Sequence, residues 1–169
     1  RIVPKMNALL NKCEVLSGNA TLQVAGEGAA RYKQALELHF ANVYTHARMA
    51  VGSNIPTSID ELRNSIIRPV NPEEYGPLNP MTPAEQELEQ HIRSQFGTVF
   101  VSEIVRMFGS RPYGWSDYAT IYFLNELRRR GRWTLKYNND ANIDSKVVAA
   151  NIVKEQNKFT VVAATTISQ

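Results

Sequence analysis

The amino-acid sequence predicts a mainly α-helical α+β chain, in which an N-terminal helical part is followed by a winged-helix (helix-turn-helix-like) domain with a small β wing. Three observations favour this fold class. Residues 82–137 contain three helical patterns and then a strand pattern, which is the order of a winged helix. A proline-rich run, residues 69–81, separates them from the helices before it. A second β-rich segment, residues 159–162, can return beside the first strand.

Residues 1–68 are predicted to form the helical domain. Residues 2–16 carry a rough apolar stripe that favours a short helix, and residues 20–28 fit either a strand or a poor helix. The longest predicted helix is residues 27–50, in which apolar side chains recur at steps of three and four. The residues that form this one apolar face are Tyr32, Leu36, Phe40, Val43, Ala47 and Val51.

A capping box predicts the next helix, because Ser58 can cap its first turn and Glu61 follows three residues later. The predicted buried face of this helix consists of Ile59, Leu62, Ile66 and Ile67. Residues 69–81 are then predicted to be a linker, because proline donates no backbone hydrogen bond to a helix or to a sheet.

Residues 82–169 are predicted to form the winged-helix-like domain. The Thr-Pro-Ala-Glu sequence at residues 82–85 is a strong helix start, with threonine as the cap, proline in the first turn and glutamate closing a capping box. A short edge strand is predicted at residues 99–101, and Ser102 is predicted to cap the second helix. The buried stripe of the first of these helices is predicted to consist of Leu88, Ile92 and Phe96.

The loop that joins the second helix to the third has the sequence Arg111-Pro112-Tyr113-Gly114-Trp115. Pro112 stiffens the loop, and Gly114 allows a positive backbone φ angle. Tyr113 and Trp115 are large aromatic residues in a short connection. We therefore expect their side chains to hold the loop in place by packing.

The third helix, capped by Ser116 or Asp117 and running to Arg130, is apolar around much of its circumference and should be well buried. Residues 132–137 alternate polar and apolar side chains, as a half-buried strand does. The return strand is residues 159–162, and a further helix is predicted between the two strands. This insertion departs from a plain winged helix, which has a tight hairpin there.

Composition limits the class of protein. The chain has 169 residues, 43% hydrophobic and 21% charged, which is ordinary for a globular domain. A net charge of +3 permits contact with nucleic acid without requiring it. The single cysteine, Cys13, is interpreted as a core residue and fits a reducing compartment, so a cytoplasmic location is expected. No apolar run reaches the roughly 20 residues that span a bilayer, so no membrane partner is expected. Because the sequence begins with Arg1, we interpret it as a piece of a longer protein.

No catalytic constellation is present in the sequence, and we expect no enzyme activity from this chain. The Gly-x-Gly at residues 26–28 resembles the start of a dinucleotide fingerprint, but Arg31 stands where its third glycine belongs. The three histidines, His39, His46 and His91, lack the spacing of metal ligands. No catalytic residue, cofactor site or metal ligand is therefore predicted.

Basic residues near the end of the third helix are the candidate nucleic-acid-binding residues. They are Arg106, Arg111, Arg128, Arg129, Arg130, Arg132 and Lys136. Such side chains contact phosphates in helix-turn-helix proteins. Cations at a helix C-terminus also offset the helix dipole by about 0.3–1 kcal/mol each, which is a purely structural explanation. The middle of this helix, residues 121–124, is apolar and aromatic and is therefore poor for reading base edges.

The Pro-Tyr-Gly-Trp loop at residues 112–115, a helix that ends in Leu-x-x-x-Gly at residues 127–131, and the strand after it together resemble a family. They are similar to a segment of the large P-loop ATPases of BREX-type bacteriophage-resistance systems, the BrxC and PglY proteins. The resemblance spans roughly residues 82–162 and implies a cytoplasmic bacterial defence protein, of which this chain is a non-catalytic portion. The Walker loop of that family does not occur in this sequence, so no ATP-binding residue is carried over.

Two functions follow from these observations. The favoured hypothesis is a protein-interaction or structural module that packs against other domains or subunits of the parent protein, because a buried helix, an aromatic loop and a long amphipathic helix suit packing. The alternative is a DNA-binding winged-helix domain that uses the arginine cluster at the end of its third helix.

Overall fold

The structure, a computed structural model, describes residues 2–95 and 97–163. Predictions made for Arg1, Phe96 and residues 164–169 lie outside the described residues. The helices are α1 (Ile2–Lys12), α2 (Gly28–Val43), α3 (Ile59–Ile67), α4 (Pro83–Ser94), α5 (Val101–Gly109), α6 (Asp117–Arg129) and α7 (Ser145–Asn151). The strands are β1 (Val15–Ser17), β2 (Ala20–Leu22), β3 (Val99–Phe100), β4 (Trp133–Tyr137) and β5 (Phe159–Ala163). Short 3₁₀ turns lie at Ala47–Ala50, Pro72–Tyr75 and Gln156–Lys158.

The predicted α+β class and the winged-helix order are confirmed. Helices α4, α5 and α6 lead into a three-stranded antiparallel sheet with the strand order β3-β5-β4. The return strand β5 pairs with β4 along five residues, from Trp133 opposite Ala163 to Tyr137 opposite Phe159. The helix predicted between the two wing strands is α7, and it packs against α3.

Most helix starts follow the predicted capping chemistry. At α4 the Thr82 hydroxyl accepts a hydrogen bond from the Glu85 backbone N–H at 3.2 Å, and the Glu85 carboxylate accepts one from the Thr82 N–H at 2.6 Å. Ser58 caps α3, but the Glu61 carboxylate accepts from Thr57 rather than from Ser58, so the predicted capping box is shifted by one residue at that end.

The start of α5 differs from the prediction. The helix begins at Val101, capped by Phe100, so the prediction that Ser102 caps it was wrong. Strand β3 ends at Phe100 because its pairing with Val161 and Thr160 of β5 ends there. Phe100, which makes no side-chain capping bond, therefore takes the cap position two residues before Ser102, the first residue with a good capping side chain.

One apolar core joins these elements. Phe108 lies at its centre, with ring centroids 4.4 Å from Tyr113 and 4.6 Å from Trp115. Leu62 and Ile66 of α3 belong to the same core, although they precede the proline-rich segment. The domain limits 1–68, 69–81 and 82–169 stay a prediction. We keep the name proline-rich segment for residues 69–81.

The N-terminal helices depart most from expectation. The ambiguous residues 20–28 begin as strand β2, which pairs with β1. The long helix predicted to reach residue 50 ends at Val43. Three residues of its predicted apolar face, Tyr32, Leu36 and Phe40, are 54%, 38% and 55% exposed. Helix α1 and the β1–β2 hairpin pack against α2 but leave these side chains only partly covered.

Burial was predicted wrongly at Ile67 and at Cys13, and Val51 of the predicted apolar face is exposed as well. Val51 and Ile67 are exposed, because the chain leaves the helices there and enters loops. Cys13 was interpreted as a core residue but is exposed, and its Sγ–H donates a hydrogen bond to the Leu10 carbonyl at 3.3 Å. It lies just after the last residue of α1, where the chain runs along the surface.

Candidate functional site

Arg129 lies inside the structure, with its side chain 2% exposed. Its guanidinium donates hydrogen bonds to the backbone carbonyls of Ser65 at 2.6 Å, Ile66 at 3.3 Å and Arg68 at 2.8 Å. These carbonyls belong to the last turn and the C-cap of α3, where a helix has no partners of its own for them. Arg129 therefore caps α3 from the end of α6.

Arg130 likewise donates a hydrogen bond to a backbone carbonyl, in the proline-rich segment. Its Nε lies 2.8 Å from Glu85 Oε1, and both side chains are nearly buried. The guanidinium also donates to the Asn79 carbonyl at 2.8 Å and lies 5.4 Å from the centroid of the Tyr75 ring. Arg130 thus connects α6, α4 and the proline-rich segment.

The other two arginines of the cluster differ from each other. Arg132 is half exposed and lies 3.3 Å from Glu89. Arg128 is partly buried, and its guanidinium donates to Ser145 Oγ at 3.5 Å. Burial, and then the nearby charge of Arg129, lower the pKa of Arg128. Among the described residues, Arg128 has no carboxylate within 4 Å.

The remaining predicted nucleic-acid residues lie elsewhere. Arg106 and Arg111 are exposed at the end of α5 and in the loop after it, and Lys136 is partly exposed on β4. The structure thus divides the predicted residues between internal bonds, at Arg129 and Arg130, and separate surface positions. Contact between these residues and DNA stays a prediction.

The face of α6 that carries Tyr122 and Glu126 contacts the proline-rich segment. The Tyr75 hydroxyl donates to Glu126 Oε2 at 2.8 Å, and Arg68 binds Glu74 at 2.7 Å beside it. Burial, and then the nearby carboxylate of Glu126, raise the pKa of Tyr122 to about 12. Carboxylates and phenols therefore surround this face of α6.

Sequence reasoning missed Tyr75, Glu85 and Glu126 as members of this arrangement. Tyr75 is an aromatic residue inside a segment that was interpreted as a linker. An aromatic residue at such a position was the sequence signal that could have indicated the contact with α6. Glu85 was interpreted only as a capping residue, yet it also binds Arg130.

The loop at residues 112–115 joins the N-terminal helices to the winged helix. Tyr113 and Trp115 are buried; the Tyr113 hydroxyl donates to Glu87 Oε1 at 2.6 Å, and the Trp115 indole N–H donates to the His46 carbonyl at 3.0 Å. Burial, and then the hydrogen bond to Glu87, raise the pKa of Tyr113 to about 12. The loop is therefore bonded to both parts of the chain.

Gly114 allows a close contact in this loop. Its φ angle is +65°, and a Cβ atom built there would lie 2.6 Å from Cδ1 of the Tyr44 ring. A side chain at this position would strain the backbone and collide with Tyr44. Tyr44 is the C-cap of α2, so this contact sets the end of α2 against the loop.

Within residues 2–95 and 97–163, no group of three or more histidine, cysteine, aspartate or glutamate side chains is arranged to hold a metal ion. In the same part of the chain, no helix has the length and apolar character needed to cross a membrane.

A protein-family model described as the winged helix-turn-helix domain of the BREX ATP-binding protein BrxC matches residues 74–167, more than half of the chain. The chain belongs to this family. No curated protein and no solved structure matches it. The match agrees with the resemblance of residues 112–131 to BREX proteins.

The BrxC match begins inside the proline-rich segment, one residue before Tyr75, and continues through β5. The matched part of this BrxC-family domain thus includes Tyr75 as well as its contacts Glu126 and Arg129. The chain is accordingly part of a BREX defence protein.

Proposed function

We propose that this chain is a non-catalytic, winged-helix-containing part of a larger bacterial phage-defence protein and acts as a protein-interaction and structural module. We also propose that the parent protein works in the cytoplasm. The family description calls BrxC ATP-binding. Because the sequence of this chain lacks a Walker loop, we propose that any ATP chemistry belongs to other parts of the parent.

One observation carries the proposal: the surroundings of α6. Helix-turn-helix proteins lay the corresponding helix in the DNA major groove and read bases with its side chains. Here eight of the 13 residues of α6 are buried. Glu126, one of these buried residues, accepts a hydrogen bond from the Tyr75 hydroxyl and lies 3.6 Å from Arg129, so the proline-rich segment covers this side of the helix. A helix in these surroundings suits internal packing better than base readout.

The arginine cluster supports the same conclusion. Arg129 and Arg130 donate to backbone carbonyls and lie beside Glu126 and Glu85. Contact with a phosphate would require these internal bonds to break. Removing one partner of a buried ion pair generally costs about 3–5 kcal/mol.

DNA binding is the second candidate function, and one observation favours it. Arg106 and Arg111 are exposed and have no carboxylate within 4 Å in the described part of the chain. Together with the net charge of +3, they offer a small positive surface.

Two measurements separate the candidates. In the first, this chain and the remainder of its parent protein are produced as separate polypeptides and mixed, and the mass of the product is measured by light scattering after gel filtration. We expect a stoichiometric complex. Separate elution at micromolar concentration would contradict the interaction module.

In the second measurement, fluorescence anisotropy follows labelled duplex and single-stranded DNA at about 50 and 200 mM salt, a range over which phosphate contacts weaken strongly. We expect no salt-sensitive micromolar binding. If such binding occurs, weakens in an Arg106→Ala and Arg111→Ala double variant, and survives in a Leu78→Ala control, the DNA-binding alternative replaces our proposal.

A further inference from the structure

Helix α2 carries a ridge of exposed apolar side chains. Leu36, Phe40 and Tyr44 follow one another at steps of four residues, and the rings of Phe40 and Tyr44 stack with centroids 6.0 Å apart. Of the 16 residues in α2, Gly28 and Ala35 are buried. Most of the stability of a helix in a protein comes from packing of its apolar face. This ridge is therefore a surface that a partner would stabilise by covering it.

The ridge forms one wall of a groove of about 1100 Å³. Gly109 and Gly114, on either side of the loop after α5, line the opposite side, and Ala47 and Arg48 line the groove between them. A Cβ atom built at Gly109 would contact only the Trp115 carbonyl oxygen, at 3.8 Å, so a partner can approach the backbone there, whereas the Tyr44 ring fills the space beside Gly114.

The uncompensated charge at this groove is positive. Lys33 and Glu37 lie in the groove and pair with each other at 3.9 Å. Arg48 also lines the groove and is exposed, and Arg111 is exposed in the loop between the two glycines. Within the described ranges, neither arginine has a carboxylate within 4 Å.

The apolar ridge and the positive charge together indicate which kind of partner would bind in the groove. DNA phosphates would suit Arg48 and Arg111 but would leave the ring of Phe40 and the side chain of Leu36 without an apolar partner. An amphipathic helix with carboxylates beside its apolar face satisfies both requirements. Binding of such a helix in an apolar groove is a recurring mode of recognition, in which side chains at steps of three and four provide the contacts.

We propose that this groove binds an acidic amphipathic helix from another domain or subunit of the same BREX protein. Its apolar side chains pack on Leu36 and Phe40, and its carboxylates bind Arg48 and Arg111. This inference rests on the proposed interaction function, to which it adds the surface and the chemistry of the partner.

Hydrogen exchange followed by mass spectrometry tests the proposal, with the full-length BREX protein that carries this sequence compared with this chain alone. We expect residues 36–48 and 109–115 to exchange at least tenfold more slowly in the full-length protein. Slower exchange on other surfaces alone would overturn the groove proposal and leave the interaction module standing. Equal exchange everywhere would overturn both.

Two other occupants give different results in the same experiment. If this chain alone shows the slow exchange and light scattering finds a dimer, a second copy fills the groove and the proposal is wrong. If duplex DNA added to the chain alone slows exchange of the same residues, the occupant is nucleic acid and the proposal is equally wrong.

Variants of the full-length protein test each half of the chemistry. In Phe40→Asp, residues 36–48 should exchange as fast as they do in this chain alone. Their exchange should stay slow in Leu78→Asp, at a side chain that is 94% exposed outside the groove.

In the double variant Arg48→Glu and Arg111→Glu, the protection of residues 36–48 from exchange should fall at least threefold. The charge-matched control is the double variant Lys5→Glu and Lys154→Glu, at two exposed lysines outside the groove. Unchanged exchange in the arginine double variant would exclude an acidic partner.

Discussion

Helices α2 and α6 have similar sequence patterns and opposite surroundings. Both repeat apolar side chains at steps of three and four residues, yet α2 buries two of its 16 residues and α6 buries eight of 13. Helix α6 packs against α3, α4 and α5, whereas α2 packs against α1 and the β1–β2 hairpin. An amphipathic pattern therefore predicts that a helix has an apolar face, but burial of that face depends on how many elements reach it.

The same contrast holds for basic and aromatic side chains. Arg129 is enclosed and bonded, while Arg106 is exposed. Trp115 is buried, while Phe40 is 55% exposed. Each pair compares an enclosed side chain with an exposed one of similar chemistry. Substituting both members of a pair therefore measures how much enclosure contributes to stability.

The largest effect is expected from the aromatic pair. Trp115→Ala should lower the free energy of unfolding by about 3–5 kcal/mol, because it leaves a cavity beside Phe108 and removes the hydrogen bond to the His46 carbonyl. Phe40→Ala, the exposed control, should change it by less than about 0.5 kcal/mol. Chemical denaturation measures both. Equal effects would mean that α2 is as well packed as the core.

The arginine pair should give the next largest effect. Arg129→Ala should cost about 3 kcal/mol, because it leaves the buried Glu126 and the final carbonyls of α3 without their partner. Arg106→Ala is the control and should cost less than about 0.5 kcal/mol. Thermal unfolding monitored by circular dichroism would show the difference. An unchanged melting temperature for Arg129→Ala would show that its internal bonds contribute little.

A glycine pair separates backbone strain from a collision. Gly131 has a φ angle of +69° and open space around it, so Gly131→Ala should cost about 1 kcal/mol from strain alone. Gly114→Ala should cost about 2 kcal/mol, because the new methyl group also meets the Tyr44 ring. Adding Tyr44→Ala should remove the excess cost. Denaturant titration of Gly131→Ala, Gly114→Ala, Tyr44→Ala and the Gly114→Ala and Tyr44→Ala double variant checks this. An excess cost that persists in the double variant would argue against the contact.

The smallest effect concerns alkaline pH. The pKa of Tyr113 is raised from 10.0 to about 12 in the folded state, so the folded protein holds the phenolic proton more tightly than the unfolded chain. Its stabilising contribution is complete below pH 10.0 and is lost as the pH rises towards 12. Stability measured between these pH values should fall less steeply in Tyr113→Phe than in the wild type.

The matched control for this titration is Tyr32→Phe, at an exposed ring of α2. It should keep the wild-type slope of stability against pH. Tyr122, whose pKa is also raised to about 12, continues to contribute in both variants, so Tyr113→Phe should retain part of the slope. Equal slopes for Tyr113→Phe and the wild type would contradict the contribution of Tyr113.

Local signals predicted much of the winged helix. The capping box at Thr82 and Glu85 and the cap at Ser116 were identified correctly, because capping depends on residues within one turn. The pairing of β4 with β5 followed from alternation and from a second β-rich segment. The start of α5 was missed, since pairing of β3 with a distant strand decided where that helix begins.

The roles of the candidate site residues were harder to predict. Arg129 bonds to carbonyls more than 60 residues earlier in the chain, and Tyr75 bonds to Glu126 across a similar separation. No local pattern distinguishes an arginine that caps a distant helix from one that faces solvent. The same limit applies to the ridge at Leu36 and Phe40, whose exposure depends on elements that do not reach it.

The sequence by itself determined the order of helices and strands in the winged helix, most of their starting points and the BREX resemblance of residues 112–131, because these depend on neighbouring residues. It did not predict the β1–β2 hairpin, since residues 2–16 favoured a helix and residues 20–28 were ambiguous. The tertiary structure alone decided which apolar faces are covered and which arginines are bonded internally. Those outcomes depend on contacts between segments far apart in the chain, such as α3 with α6 and α7. Packing between distant elements therefore separates the enclosed α6 from the exposed α2.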